Sequence, residues 1–138
     1  VLCGGPNDIE KATEFSEFFK EDFLDLVGKT SLLDLLYIIN QSSLLVSNES
    51  CAPHLTAALD RININIFVIS NGNTFGRFTP YPKKIYGNYF PIFHPKIEKD
   101  LNNTKKLINT YGMLSNLDIN DITSENAIAK IKSVLNEF

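Results

Sequence analysis

The stretch SNESCAPHLTAALD, Ser47 to Asp60, gathers a carboxylate, hydroxyls, a thiol, a proline and an imidazole, and then runs into small apolar residues. His54 is one of only two histidines in the 138-residue chain. Proline is favoured in a first helical turn because its missing N–H would be unsatisfied there anyway, so Pro53 predicts a helix start at about Ala52. The free N–H groups of such a turn and the positive end of the helix dipole form an anion site. His54 in that turn can donate a hydrogen bond to a phosphate, or carry a charge that offsets a diphosphate leaving group. Glu49, just before the turn, would repel a phosphate but accept hydrogen bonds from sugar hydroxyls. Thr56, Ala57 and Ala58 are small enough for the helix to pack closely on a sheet. A phosphate-plus-polyol ligand satisfies all three observations.

Two other readings of the same residues stand beside this one. In the simpler, Ser50 is an ordinary N-cap, Glu49 is a carboxylate favoured by the dipole and His54 is a surface residue. On spacing alone that capped turn is the safer answer. In the other, Cys51 is a nucleophile activated by the helix N-terminus with His54 as its base. That reading lacks a third orienting residue, and it sets thiol and imidazole on one constrained turn.

The elements that must position these residues follow from periodicity. Short apolar runs alternate with helical patterns: VLCG, a helix through about Lys20, FLDLVG, the helical SLLDLLYIINQ, SLLVSN, a helix over roughly Pro53 to Leu59, and INIFVIS. Strands separated by helices imply an α/β fold, a Rossmann-like parallel sheet with helices on both faces. In such sheets ligands bind beyond the carboxyl ends of the strands, where SLLVSN delivers ESCAPH. Asn7 or Asp8 can cap the first helix, Ser31 the second, and Gly28 ends the strand before it. The segment NGNTFGRFTPYPKK, rich in Gly, Pro and aromatic residues, reads as a long loop. Its Arg77 could approach a phosphate, whereas His94, between Phe93 and Pro95, reads as structural. The span from Ile85 to Ile119 shows no clear element. A final helix is capped at Thr123, with Ile128, Ile131 and Leu135 on one face.

Length and composition suit one domain over residues 1–138, with 43% hydrophobic and 21% charged residues. A net charge of −3 without a Lys/Arg stripe argues against nucleic acid as a partner. The most apolar run, SLLDLLYII, is interrupted by Asp34 and falls well short of the roughly 20 residues that span a bilayer. Cys3 and Cys51 give no disulfide framework and fit a reducing cytoplasm. The opening VLCGGPND reads as a strand already in progress rather than a secretory leader, which suggests part of something longer.

The run GKTSLLDLLYIINQSSLLVSNESCAPHLTAAL resembles the C-terminal domain of the family 9 glycosyltransferases, the ADP-heptose:lipopolysaccharide heptosyltransferases and their relatives. GGPND resembles that domain's first strand and loop, and NTFGRFTPYP its loop after the histidine helix, so the likeness covers roughly Val1 to Pro82. It implies one lobe of a GT-B fold, the donor-binding lobe of an inverting, metal-independent enzyme with no cofactor. The donor would be a nucleotide-diphosphate sugar such as ADP-heptose, and a separate lobe would bring a lipid-linked surface-glycan acceptor and the catalytic base. The implied location is the cytoplasm, with the full-length protein able to touch the inner membrane peripherally.

By that resemblance His54 and the N–H groups of Cys51 and Ala52 hold the diphosphate, and His54 stabilises the leaving group. Glu49 and Ser50 face the sugar, Asp8 the ribose, and Thr30 and Ser31 the adenine. The family usually has Asp in place of Glu49 and Gly in place of Cys51. Those two departures are the support for a non-catalytic sugar-nucleotide-binding or interaction domain as an alternative.

Overall fold

A computed structural model describes residues 1–59 and 64–135; Asp60, the end of the Ser47–Asp60 stretch, lies outside the described residues. The chain divides into two compact units, Val1–Gln41 and Ser42–Phe138.

In the first unit the two expected strands, VLCG and FLDLVG, do run parallel. They are reduced to a single bridge between Leu2 and Asp25. Leu2 N–H donates to the Leu24 carbonyl at 2.9 Å, and the N–H groups of Leu26 and Gly28 donate to the carbonyls of Leu2 and Gly4 at 2.9 and 3.0 Å. The ladder stops there because each chain turns at once. Pro6 opens a 3-10 turn that leads into helix α1, Ile9–Phe18, two residues shorter than the pattern suggested. Gly28 ends its strand as expected, at φ +70°, where a Cβ would lie 2.9 Å from Ile9 Cδ1.

Helix α2, Leu32–Gln41, begins at the anticipated cap. The Ser31 hydroxyl accepts from the Asp34 N–H at 3.2 Å, while the Asp34 carboxylate accepts from the Ser31 N–H at 2.9 Å and from its hydroxyl at 2.7 Å. This reciprocal pairing is a capping box with Asp in the third position. The Asp8 cap is a correction: Asp8 stands at the N-cap of α1 without a side-chain bond to the helix, and its carboxylate accepts from the Gly5 N–H at 2.9 Å.

The second unit is built on a three-stranded parallel sheet in the order β1-β2-β3, with β1 Leu44–Asn48, β2 Asn65–Ser70 and β3 Tyr89–Phe93. Helix α3, Cys51–Ala58, follows β1 and starts one residue before the expected Ala52. β3 lies inside the span that showed no clear element. Its sequence YFPIF is short and has Pro91 at the centre, which argues against a strand in the middle of a sheet. Here β3 pairs only with β2, and alternate residues face it, so the proline nitrogen falls on the unpaired side.

Short helices α4, Pro95–Glu98, and α5, Thr104–Tyr111, follow. The final helix α6, Ser124–Leu135, keeps its Thr123 cap through an Asn126 N–H bond to the hydroxyl at 3.3 Å. Its expected face is corrected. Ala127, Ile131 and Val134 pack on Phe67 and Ile92 of the sheet, whereas Ile128 and Leu135 are exposed. The packed positions 127, 131 and 134 follow an i, i+4, i+7 spacing that keeps Ile131 and moves the other two one residue earlier. A second cluster, Phe75, Phe93, Ile97 and Leu107, anchors the long loop and α5.

Candidate functional site

At the carboxyl ends of β1 and β2 a pocket of about 870 Å³ opens within the second unit. Glu49, Ser50 and His54 line it from the β1–α3 junction, and Ser70, Asn71 and Asn73 from the end of β2 and the loop beyond. Phe78 and Tyr81 of the long loop and Leu114, Ser115 and Ile119 of the C-terminal part complete the wall. This is where an open parallel sheet is expected to hold a ligand.

The sheet register explains how Glu49 is held. Asn48 pairs with Ile69, so the next residues, Glu49 and Ser70, face each other. The Ser70 hydroxyl donates to Glu49 Oε2 in a short hydrogen bond and accepts from the Gly72 N–H at 3.0 Å. Ser70 is 1% exposed, and its carbonyl also accepts from the His94 N–H. The other carboxylate oxygen of Glu49, Oε1, is buried without a hydrogen-bond partner among the described residues. It therefore retains capacity for a donor such as a hydroxyl.

Ser50 occupies the N-cap of α3 in extended conformation, yet its side chain makes no bond to the helix. Its hydroxyl lies 3.3 Å from that of Ser47 instead. No side chain therefore closes off the first turn, where Cys51 and Ala52 carry N–H groups and Pro53 has none. Cys51 is exposed and has no hydrogen bond to His54. The nucleophile–base pair that a cysteine hydrolase needs is not formed.

His54 is half-buried. Its Nδ1 and the Tyr81 hydroxyl are hydrogen-bonded at 3.0 Å, and its ring meets Phe78 edge-on and Tyr81 at a tilt. Its Nε2 has no hydrogen bond among the described residues. Tyr81 in turn packs edge-on against Tyr89, whose hydroxyl is bonded to Thr79 at 2.9 Å. Burial pushes Tyr89 up to about 12, against the lowering effect of the Thr79 bond, so the phenol packed behind Tyr81 is neutral across the biological range. Arg77 lies over the Phe78 ring at 5.7 Å and does not line the pocket.

The remaining expected residues do not line the pocket. Asp8, Thr30 and Ser31 belong to the first unit, where Asp8 bonds Gly5 and Ser31 caps α2. His94 is 2% exposed and structural, as its setting suggested: Nδ1 accepts from the Lys96 N–H at 3.1 Å and Nε2 contacts Asp121 at 2.9 Å. Sequence reasoning missed Ser70 and Tyr81. Ser70 was within reach, since it ends the strand that follows the Glu49 strand and so must meet it at the same sheet edge. Among the described residues no group of three His, Cys, Asp or Glu side chains is placed to hold a metal ion, and no helix is long and apolar enough to cross a membrane.

Comparison with known proteins adds three findings. A family model described as glycosyltransferase family 9 (heptosyltransferase) matches residues 1–107. The solved structure of the glycosyl transferase family 9 from Veillonella parvula DSM 2008 superposes with a TM-score of 0.68 at 22% identity, covering 99% of this chain and 36% of that one. This chain thus spans about a third of the length of that relative. No curated protein matches the sequence.

Proposed function

This chain belongs to glycosyltransferase family 9, and from that premise we propose that it is the donor-binding lobe of a sugar transferase that uses a nucleotide-diphosphate sugar, heptose or a related sugar. The observation that carries the reading is the pocket, where an uncapped helix N-terminus and His54 meet Glu49, whose Oε1 is buried and unpartnered. The diphosphate lies against the N–H groups of Cys51 and Ala52 and His54 Nε2. The sugar hydroxyls meet Glu49 and Ser50.

As the bond from the anomeric carbon to the diphosphate oxygen lengthens, negative charge grows on the departing phosphate. Backbone N–H groups and an imidazole aimed at that charge lower the barrier without a metal. The acceptor attacks the opposite face of the sugar, which inverts the anomeric centre. A base on another part of the full-length protein removes the acceptor's proton, and the acceptor is a lipopolysaccharide or other surface glycan assembled at the cytoplasmic face of the inner membrane.

Calorimetric titration of the chain with ADP-, UDP- and GDP-sugars tests this reading. One nucleotide is expected to bind, with affinity reduced on the order of tenfold or more in His54→Ala, the effect of losing a hydrogen bond to a charged group. Absence of binding to all three would favour the non-catalytic interaction domain.

A further inference from the structure

We propose that Tyr81 is a positioning residue that sets the tautomer of His54, so that the imidazole presents an N–H donor, not a lone pair, to the pocket. The proposal rests on the donor-site reading above for its purpose, but its chemistry stands on the geometry alone.

A neutral imidazole carries one proton on two nitrogens, and the partner of one nitrogen decides what the other can do. The only hydrogen bond to the His54 ring among the described residues is the 3.0 Å contact between Nδ1 and the Tyr81 hydroxyl. That hydroxyl has no other partner among the described residues. If Nδ1–H were the donor, the phenolic proton would be left without an acceptor among the described residues. If the phenol donates, its proton and the Nδ1 lone pair are both used, and the ring's proton must sit on Nε2. Phenol is the better acid and imidazole the better base, which favours the second arrangement.

The ring is also held in place. Phe78 meets it edge-on at 5.8 Å, and Tyr81 is itself packed edge-on against the buried Tyr89 at 5.0 Å. A donor at Nε2 suits a phosphate oxygen, whereas a bare Nε2 would repel one. The hydroxyl of Tyr81 thus determines whether His54 helps or hinders an anion on the α3 turn.

The sequence supplies its own reference for the test. The other histidine, His94, has a tautomer fixed by a backbone N–H: Lys96 can only donate to Nδ1, so Nε2 carries the proton toward Asp121. Long-range proton–nitrogen NMR of the 15N-labelled chain, recorded at about pH 8, above the ordinary imidazole value of roughly 6.5, reads both rings separately. The expected result is the Nε2–H pattern for both histidines in the native chain. In Tyr81→Phe, which keeps the ring and removes only the hydroxyl, His54 is expected to become a mixture of tautomers while His94 stays unchanged.

An Nδ1–H form of His54 in the native chain overturns the proposal, and this arm needs no variant. An unchanged His54 pattern in Tyr81→Phe overturns it as well. Titration with ADP supplies the functional readout: Tyr81→Phe is expected to weaken binding several-fold, on the scale of one hydrogen bond, and to add nothing in the His54→Ala background. If ADP, UDP and GDP all fail to bind the native chain while the tautomer results hold, the donor-site reading falls and the positioning role of Tyr81 stands.

Discussion

The Glu49 carboxylate divides its labour: one oxygen is fixed by the Ser70 hydroxyl, and the other is buried and unpartnered in a pocket wall. A buried acceptor without a partner costs on the order of 1–3 kcal/mol, and a ligand hydroxyl relieves that cost. Ser70 is locked from two sides, by the Gly72 N–H at its hydroxyl and the His94 N–H at its carbonyl, so it aims the carboxylate rather than merely touching it. Ser70→Ala should therefore weaken binding of an ADP-sugar by about 1 kcal/mol, the worth of one hydrogen bond, and leave binding of ADP itself nearly unchanged. Calorimetry with the two ligands checks this, and an equal loss for both would show that Ser70 serves the fold only. The placement of Glu49 and His54 at the start of α3 was legible from residue types and from the helix start that Pro53 marks. The partners that orient them were not, because Ser70 and Tyr81 lie 21 and 27 residues away and meet them only through the sheet register and the returning loop.

At the level of elements, caps are where local sequence and structure agree most closely. Ser31 and Asp34 close the first turn of α2, and the Ser31 hydroxyl and N–H together hold the Asp34 carboxyl below its usual 3.8. A carboxyl lowered on folding contributes stability that is complete above its unfolded value and is lost as pH falls through the lower folded one. An NMR titration of the side-chain carboxyl should thus give Asp34 a midpoint below 3.8, and Ser31→Ala should move it upward. A midpoint that ignores the substitution would refute the capping box.

Other elements were hidden for physical reasons. β3 was masked by Pro91, which only an unpaired strand edge tolerates. The wall formed by Leu114, Ser115 and Ile119 had no local signal. It is stitched to the end of β2 by the Ser115 hydroxyl on the Asn71 carbonyl at 2.7 Å and the Asn71 amide on the Leu117 carbonyl at 3.0 Å, contacts across 44 and 46 residues. This wall lies beyond the 1–107 span of the family model.

For the whole molecule, a parallel α/β sheet was evident from the alternation of INIFVIS-like strands with helices, and the likeness to the Veillonella parvula structure bears out that fold. The division of work in the proposed enzyme follows from what the chain contains. It brings the first turn of α3 and the Glu49 carboxylate together in one pocket, while it spans only 36% of that relative. The central claim is that this pocket holds a sugar nucleotide with its diphosphate on the α3 turn. Mapping backbone amide NMR shifts during titration of the chain with ADP-heptose tests it most directly. The largest saturable shifts are expected at Cys51, Ala52, His54 and Ser70; no shifts, or saturable shifts confined to residues away from the pocket, would contradict this claim.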